Sequence, residues 1–310
     1  MHPYAPDMAG EWNDFVKRSK NGTFLFDRRY MDYHAGRFAD ASVMFRCGGR
    51  LAALMPGNIE GDVFHSHAGL TYGGLVTDSR ATAEAVVAMM RMLAGDLHDR
   101  GVRRMVYKPV PYIYHRMPAQ EDLYALFALG RGATVTGRSI SSAIDLGSRI
   151  PLAESRRSGI RKALRAGVEI VRSADYAAFW EILSENLLTR HGAVPVHSLE
   201  EINALARIWP ERIALHAAMM GDRMLGAAVV YVTDRVVHTQ YISASPLGKS
   251  LGAIDLLIHT LLNDTYSRAP YFDFGGSTEQ MGHLLNGGLI FQKEGFGARA
   301  VCYDTYSIDL

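Results

Sequence analysis

The sequence predicts an α/β protein of the mixed-sheet (α+β) kind, built as two similar units joined head to tail by internal duplication. Three observations carry that expectation. The chain has 310 residues, enough for two domains that each bury a core of their own. One order of elements occurs twice. Both halves also end on the same tripeptide, Ile-Asp-Leu, at positions 144–146 and 308–310.

In the first half, residues 41–47 and 51–56 are apolar runs separated by Gly48-Gly49-Arg50, which predicts a hairpin. A third short strand over 63–67 leads through a glycine-bearing loop to a helix over 81–100, where Ala85, Ala88, Met89, Met92 and Leu93 recur at helical spacing. Gly101 stops that helix and 102–107 reads as a strand. The second half repeats the series: strands over 213–220 and 224–231 around Gly221-Asp222-Arg223, a third strand over 236–243, a helix over 251–268 and a strand over 271–274. Equivalent residues keep a nearly constant offset, 173 between Arg50 and Arg223 and 164 between Asp145 and Asp309. Gly, Ser and Pro at 147–152 break the strand pattern, so the expected domains are 1–150 and 151–310. Basic helix 154–166, strand 168–172 and helices 176–188 and 199–209 open the second domain, as helices 11–19 and 27–38 open the first.

Composition narrows the function classes. Apolar residues are 48% and charged residues 21%, the balance of a folded globular chain. A net charge of +1 gives no general attraction to nucleic acid or an anionic membrane, so the basic helix reads first as a solvated face. Cys47 and Cys302 are the two cysteines, which supports neither a disulfide framework nor a cysteine metal site. His65 and His67 alternate on one strand without a third ligand at metal spacing, and no metal is expected. The first dozen residues carry Asp7 and Glu11 and no apolar core of a signal peptide, and no run approaches a membrane span; a cytoplasmic protein is expected.

The segment Leu247-Gly248-Lys249-Ser250-Leu251-Gly252-Ala253 lies between a strand and a helix. Free backbone N–H groups and the helix dipole there favour an anion, glycine permits close approach, and Lys249 adds charge. Here the sequence resembles the GNAT acyltransferase superfamily, whose pyrophosphate signature Lys249-Ser250-Leu251-Gly252 matches in its first part, with Ile254 where Gly or Ala is the rule. The tandem arrangement, together with 272–278 (Phe-Asp-Phe-Gly-Gly-Ser-Thr) and 291–297 (Phe-Gln-Lys-Glu-Gly-Phe-Gly), is similar to the Fem-type group, which includes aminoacyl transferases that use aminoacyl-tRNA on cell-wall precursors. The resemblance implies acyl-CoA, acetyl-CoA among the candidates, as co-substrate and a small-molecule amine as acceptor. Aminoacyl-tRNA is the less favoured donor, because the helical arm and basic excess typical of tRNA-using members are missing. A non-enzymatic binding module with a decayed cofactor loop is the further alternative.

Within that frame the second half carries the chemistry. Lys293, set among glycines and aromatics, would stabilise a developing oxyanion or hold a phosphate; otherwise it is a turn lysine. Asp273 would orient or deprotonate the amine, or cap a turn. Tyr241 and Ser243 end the third strand where the family places an acyl carbonyl, with Tyr241 alternatively a core aromatic. Gly275 and Ser277 are expected to border the substrate, and Gly248, Lys249, Ser250, Gly252 and Ala253 the donor. The first half has no loop glycines at 75–80. It carries instead Lys108-Pro-Val-Pro-Tyr112-Ile-Tyr114-His115, whose prolines predict a stiff wall for acceptor recognition or, alternatively, a packed linker. Arg190-His191 reads as a solvated loop pair, with a substrate carboxylate as the sharper option. No cysteine or serine sits in a nucleophile elbow, so direct attack of the amine in a ternary complex is expected.

Overall fold

The computed structural model describes residues 1–130 and 132–310, with the backbone alone described at His34, Arg190 and His191; the side-chain expectation for Arg190-His191 therefore lies outside the described residues. The chain forms two compact units: residues 1–140 with 278–285 and 301–310, and residues 141–277 with 286–300. This division differs from the contiguous 1–150 and 151–310 expected from the sequence. The two Ile-Asp-Leu strands account for it. Ile308 and Asp309 pair with Met105 and Arg104 in the first unit, whereas Ile144 and Asp145 pair with Phe272 and Tyr271 in the second. Each final strand thus completes the sheet of the unit that did not precede it.

The first unit opens with α1 (Ala9–Arg18), followed by β1 (Val43–Cys47), β2 (Arg50–Met55), β3 (Asn58–Glu60), β4 (Val63–His65), β5 (Val76–Thr77), α2 (Ala83–Asp99), β6 (Arg104–Tyr107) and α3 (Glu121–Ala128). The hairpin β1–β2 is built as expected but joins β5 in a small sheet, while β4 pairs with β3 and runs parallel to β6. Thr82 caps α2 by accepting a 3.3 Å bond from the N–H of Ala85. Val86, Met90, Leu93 and Leu97 form its buried stripe and meet Met105, Tyr107 and Ile308 in the core.

β7 (Thr134–Asp145) enters the second unit at Ser141. There follow α4 (Glu154–Arg165), β8 (Glu169–Ser173), α5 (Tyr176–His191), α6 (Leu199–Ile208), β9 (Ile213–Met220), β10 (Arg223–Val232), β11 (Val236–Ala244), α7 (Pro246–Leu251), α8 (Ala253–Thr260), β12 (Tyr271–Gly276) and α9 (Gly287–Glu294). Within this unit the sheet order is β7-β12-β11-β10-β9-β8, antiparallel except for the parallel pair β11–β12. In both units, then, a third strand, a long helix and a parallel strand follow one another. A six-strand mixed sheet with helices on its faces is the expected α/β fold. α8 and the turn after it pack Leu257, Ile258 and Leu261 on Val230, Val237 and Phe272, and α4 packs Ile160 and Ala163 against Ala253 and Leu256.

Two local readings change. The helix expected over 251–268 begins at Ala253, because Gly252 adopts φ 76°, a left-handed geometry that ends α7 before α8 starts, and it continues past Thr260 as a π-helical turn over Leu261–Thr265. The Lys293 segment is not a turn but helix α9, capped by the side chain of Asn286, which accepts from Leu289 N–H. Among the described residues no helix is long and apolar enough to cross a membrane.

Candidate active site

The site begins where β11 and β12 part. Their parallel register covers Val236–His238 against Tyr271–Asp273 and ends there. Beyond that rung β11 bulges: Val229 pairs with Tyr241 and Val230 with Thr239, leaving Gln240 as the extra residue. A bulge breaks the alternation of side chains, so Thr239 and Gln240 both line one cavity despite being consecutive. Opposite, Gly275 turns β12 aside with φ 75°, a conformation that excludes most side chains. The gap is a cavity of about 350 Å³ within the second unit. Leu183, Ile242, Ile254, Phe274 and Leu289 give it apolar walls, and Asn186, Thr239, Ser243, Lys249, Gln292 and Lys293 supply polar groups.

Lys293 is the central cation. Its residue is 6% exposed, and Nζ donates to the carbonyls of Gly275 at 2.8 Å and Gly276 at 2.7 Å. An ammonium has three protons, so one is left for a group in the cavity. Burial draws the lysine down to about 8, against an opposing pull from the Asp273 carboxylate.

Asp273 has no exposed surface. One carboxylate oxygen accepts from Ser141 Oγ and, at 3.1 Å, from Gly275 N–H; the other lies 3.0 Å from His238 Nδ1. A side chain so enclosed makes no contact with a substrate, which corrects the expectation that Asp273 deprotonates the amine directly. Tyr241 is half-buried. Its ring packs edge-on against Trp180 at 5.2 Å, and its hydroxyl lies 3.1 Å from His197 N, which donates to it, and 2.6 Å from His197 Nδ1.

The donor loop is only partly where the sequence placed it. Ser243 and Lys249 do line the cavity, bridged by Asn186, whose Nδ2 donates to Ser243 Oγ at 3.0 Å and whose Oδ1 accepts from Lys249. Gly248, Gly252 and Ala253 are turned inward. A Cβ on Gly248 would stand 2.1 Å from the Leu225 carbonyl oxygen and one on Gly252 2.5 Å from that of Gly159, while Ala253 is fully buried. The N–H of Gly248 is taken by the Ser245 side chain at 3.1 Å, and Ser250 Oγ donates to Leu247 O. The alpha carbons of these glycines thus face neighbouring backbone, while the helix that begins at Ala253 has no side chain capping its first turn.

In the first unit the 108–115 wall is largely inward-facing. Lys108 Nζ donates to Leu70 O at 2.5 Å and burial brings it to about 8. Tyr114 is buried with its hydroxyl 3.1 Å from that of Tyr303, and His115 Nε2 lies 2.9 Å from Val110 O. Tyr112, 53% exposed, is the member that faces solvent. The packed-linker reading fits this stretch, because two prolines fix a backbone whose side chains fill the space beneath it.

Sequence reasoning missed Asn186, Thr239 and His238. Asn186 lies in a helix 57 residues from Ser243, with no local signal. Thr239 Oγ1 and Ser277 Oγ are buried and have no hydrogen-bond partner among the described residues. An unpartnered buried hydroxyl costs about 1–3 kcal/mol, and that of Thr239, a residue of the cavity wall, has almost no exposed surface. Thr239→Val is therefore expected to raise the thermal stability of the protein by about 1 kcal/mol. A variant that melts below the parent would contradict this.

Residues 154–281 match the family model of the acetyltransferase (GNAT) domain. Three solved structures share the fold. FemX has a TM-score of 0.69 at 14% identity, over 100% of this chain and 98% of its own. L-PGS from Bacillus licheniformis has a TM-score of 0.64 at 10% identity, over 98% and 91%. A tandem GNAT protein from the clavulanic acid biosynthesis pathway has 0.51 at 15%, over 99% and 97%. No curated protein matches the sequence. The stretch 154–281 thus resembles the GNAT domain, and the whole chain shares its fold with FemX and with the tandem GNAT protein.

Proposed function

We propose that the chain is an N-acyltransferase that moves an acyl group from an activated donor to an amine by direct attack. The observation that carries this reading is the buried Lys293 ammonium, with one proton uncommitted, in the wall of an apolar cavity opened by strand splay. A carbonyl placed there gains negative charge as the amine attacks, and a preorganised cation in a water-poor site stabilises it. The cavity, about 350 Å³, has room for a short acyl chain and its thioester.

A second reading, aminoacyl-tRNA as donor as in the Fem-type group, is favoured by one feature. Gly248 and Gly252 face neighbouring backbone on the side where a Cβ would stand, which departs from an open glycine loop. Thermal unfolding with acetyl-CoA, longer acyl-CoAs and free CoA separates the two. A ligand at one hundred times its dissociation constant adds about 2.7 kcal/mol, or roughly 5–10 °C for a domain of this size. A shift with thioesters and thiol release in the presence of amines supports the first reading. No shift with any CoA species, and consumption of an aminoacyl ester instead, would replace it by the second.

A further inference from the structure

The His238–Asp273 pair has no part in oxyanion stabilisation, yet it is built as a unit. His238 and Asp273 occupy the last rung of the β11–β12 pairing, one residue before the cavity wall begins at Thr239. Three neighbours hold the carboxylate: Ser141 Oγ, Gly275 N–H at 3.1 Å and His238 Nδ1 at 3.0 Å. Because Asp273 accepts, the Nδ1 of His238 carries the proton in the neutral ring and Nε2 keeps a lone pair. Nε2 has no hydrogen-bond partner among the described residues, and the side chain keeps 14% of its surface exposed. The ring edge faces the Gly275 backbone: a Cβ there would lie 3.2 Å from Cε1 and 3.7 Å from Nε2. The carbonyl of the same Gly275 holds Lys293. An acceptor and a cationic donor thus flank one short peptide segment. The titratable groups around His238 are Tyr231, across the same rung on β10, Asp273 on β12 and, beyond it, Lys293 on α9.

Resting on the acyl-transfer reading, we infer that His238 is the general base that takes the proton of the attacking amine, with Asp273 and Ser141 as residues that position it. The amine lone pair forms the N–C bond, the C–S bond of the thioester breaks with its electron pair on sulfur, and the amine proton passes to Nε2 and then to the departing thiolate. Asp273 keeps its charge and fixes the tautomer, as an aspartate behind a catalytic histidine does.

The test uses acetyl-CoA with a pool of amino acids and polyamines, reading thiol release across pH. His238→Gln keeps a donor toward Asp273 and cannot take a proton. It is expected to lower kcat by at least 100-fold, within the usual range for a general base, with KM for acetyl-CoA within threefold and the acidic limb of the kcat/KM profile gone. Asp273→Asn buries a changed group and risks misfolding, so Ser141→Ala is the milder companion; it should shift that limb while leaving the fold intact. Wild-type protein that releases thiol, with His238→Gln equally active and showing an unchanged pH profile, overturns the base assignment alone. Wild-type protein that releases no thiol with any amine in the pool overturns the acyl-transfer reading, and this assignment with it.

Discussion

Gly252→Asp is expected to unfold the second unit at a markedly lower temperature, before any ligand is considered. Reading the glycine as part of an anion loop leads to the opposite expectation, a variant that melts almost normally and only fails to bind CoA. The structure decides between them. Gly252 has φ 76°, where a side chain costs about 1–2 kcal/mol. Its Cβ would lie 2.5 Å from the Gly159 carbonyl oxygen and 2.8 Å from Gly159 Cα, backbone atoms that cannot rotate away. Gly159 is equally confined, since its own Cβ would lie 1.9 Å from Asp255 Oδ2. The two glycines let α4 and α8 approach closely enough for the 2.6 Å Arg156–Asp255 bridge and for Ile160 and Ala163 to pack on Leu256. Forcing them apart adds about 1–3 kcal/mol of overpacking strain. The combined loss, about 2–5 kcal/mol, corresponds to a fall of roughly 5–20 °C in Tm. Calorimetry of Gly252→Asp beside Gly252→Ala is the check. Melting within 2 °C of the parent would mean that this contact is not a packing constraint.

Lys293→Met is expected to reduce kcat by about 100- to 1000-fold, the range seen when one donor to an oxyanion is removed, while the protein still folds because the apolar stem is kept. The ammonium acts only while protonated, so wild-type kcat is expected to fall as pH rises through about 8, the value to which burial brings this lysine. The variant should lack that alkaline limb. Stability moves in the opposite sense. In the unfolded chain the lysine titrates near 10.5 and in the folded one near 8, so between these values the unfolded state holds more protons. Wild-type stability should therefore rise with pH across that window, more steeply than the variant's by up to about 1.4 kcal/mol per pH unit. Lys108, also near 8, adds a slope of the same sign in both proteins, so the difference isolates Lys293. Equal slopes would show Lys293 to be solvated, and unchanged kcat would remove it from the chemistry.

Much of the fold is legible in the residues alone. Hydrophobic periodicity and turn chemistry are local properties, and they locate the hairpin at 213–232, the third strand, helix 154–165 and the repeat that relates the two halves. The polar and glycine pattern around 272–278 and 291–297 likewise points to Lys293 before any coordinates. What the tertiary structure alone decides is partnership at a distance. Two strands with the same Ile-Asp-Leu ending carry no mark of which sheet they complete, and pairing in three dimensions sends 141–145 to the second unit and 301–310 to the first. A glycine in sequence shows only that a side chain is absent. Whether the space faces a ligand, as expected at 248 and 252, or a neighbouring carbonyl, as found, depends on packing against a strand at Leu225 and against a helix about 90 residues away at Gly159. His238 and Asp273 are 35 residues apart and each is unremarked in its own segment. Parallel pairing of their strands, followed by a bulge at Gln240 and a left-handed turn at Gly275, turns an isolated histidine and a strand-end aspartate into a dyad at the edge of a cavity, because side-chain chemistry of this kind exists only once the distance between its partners is set.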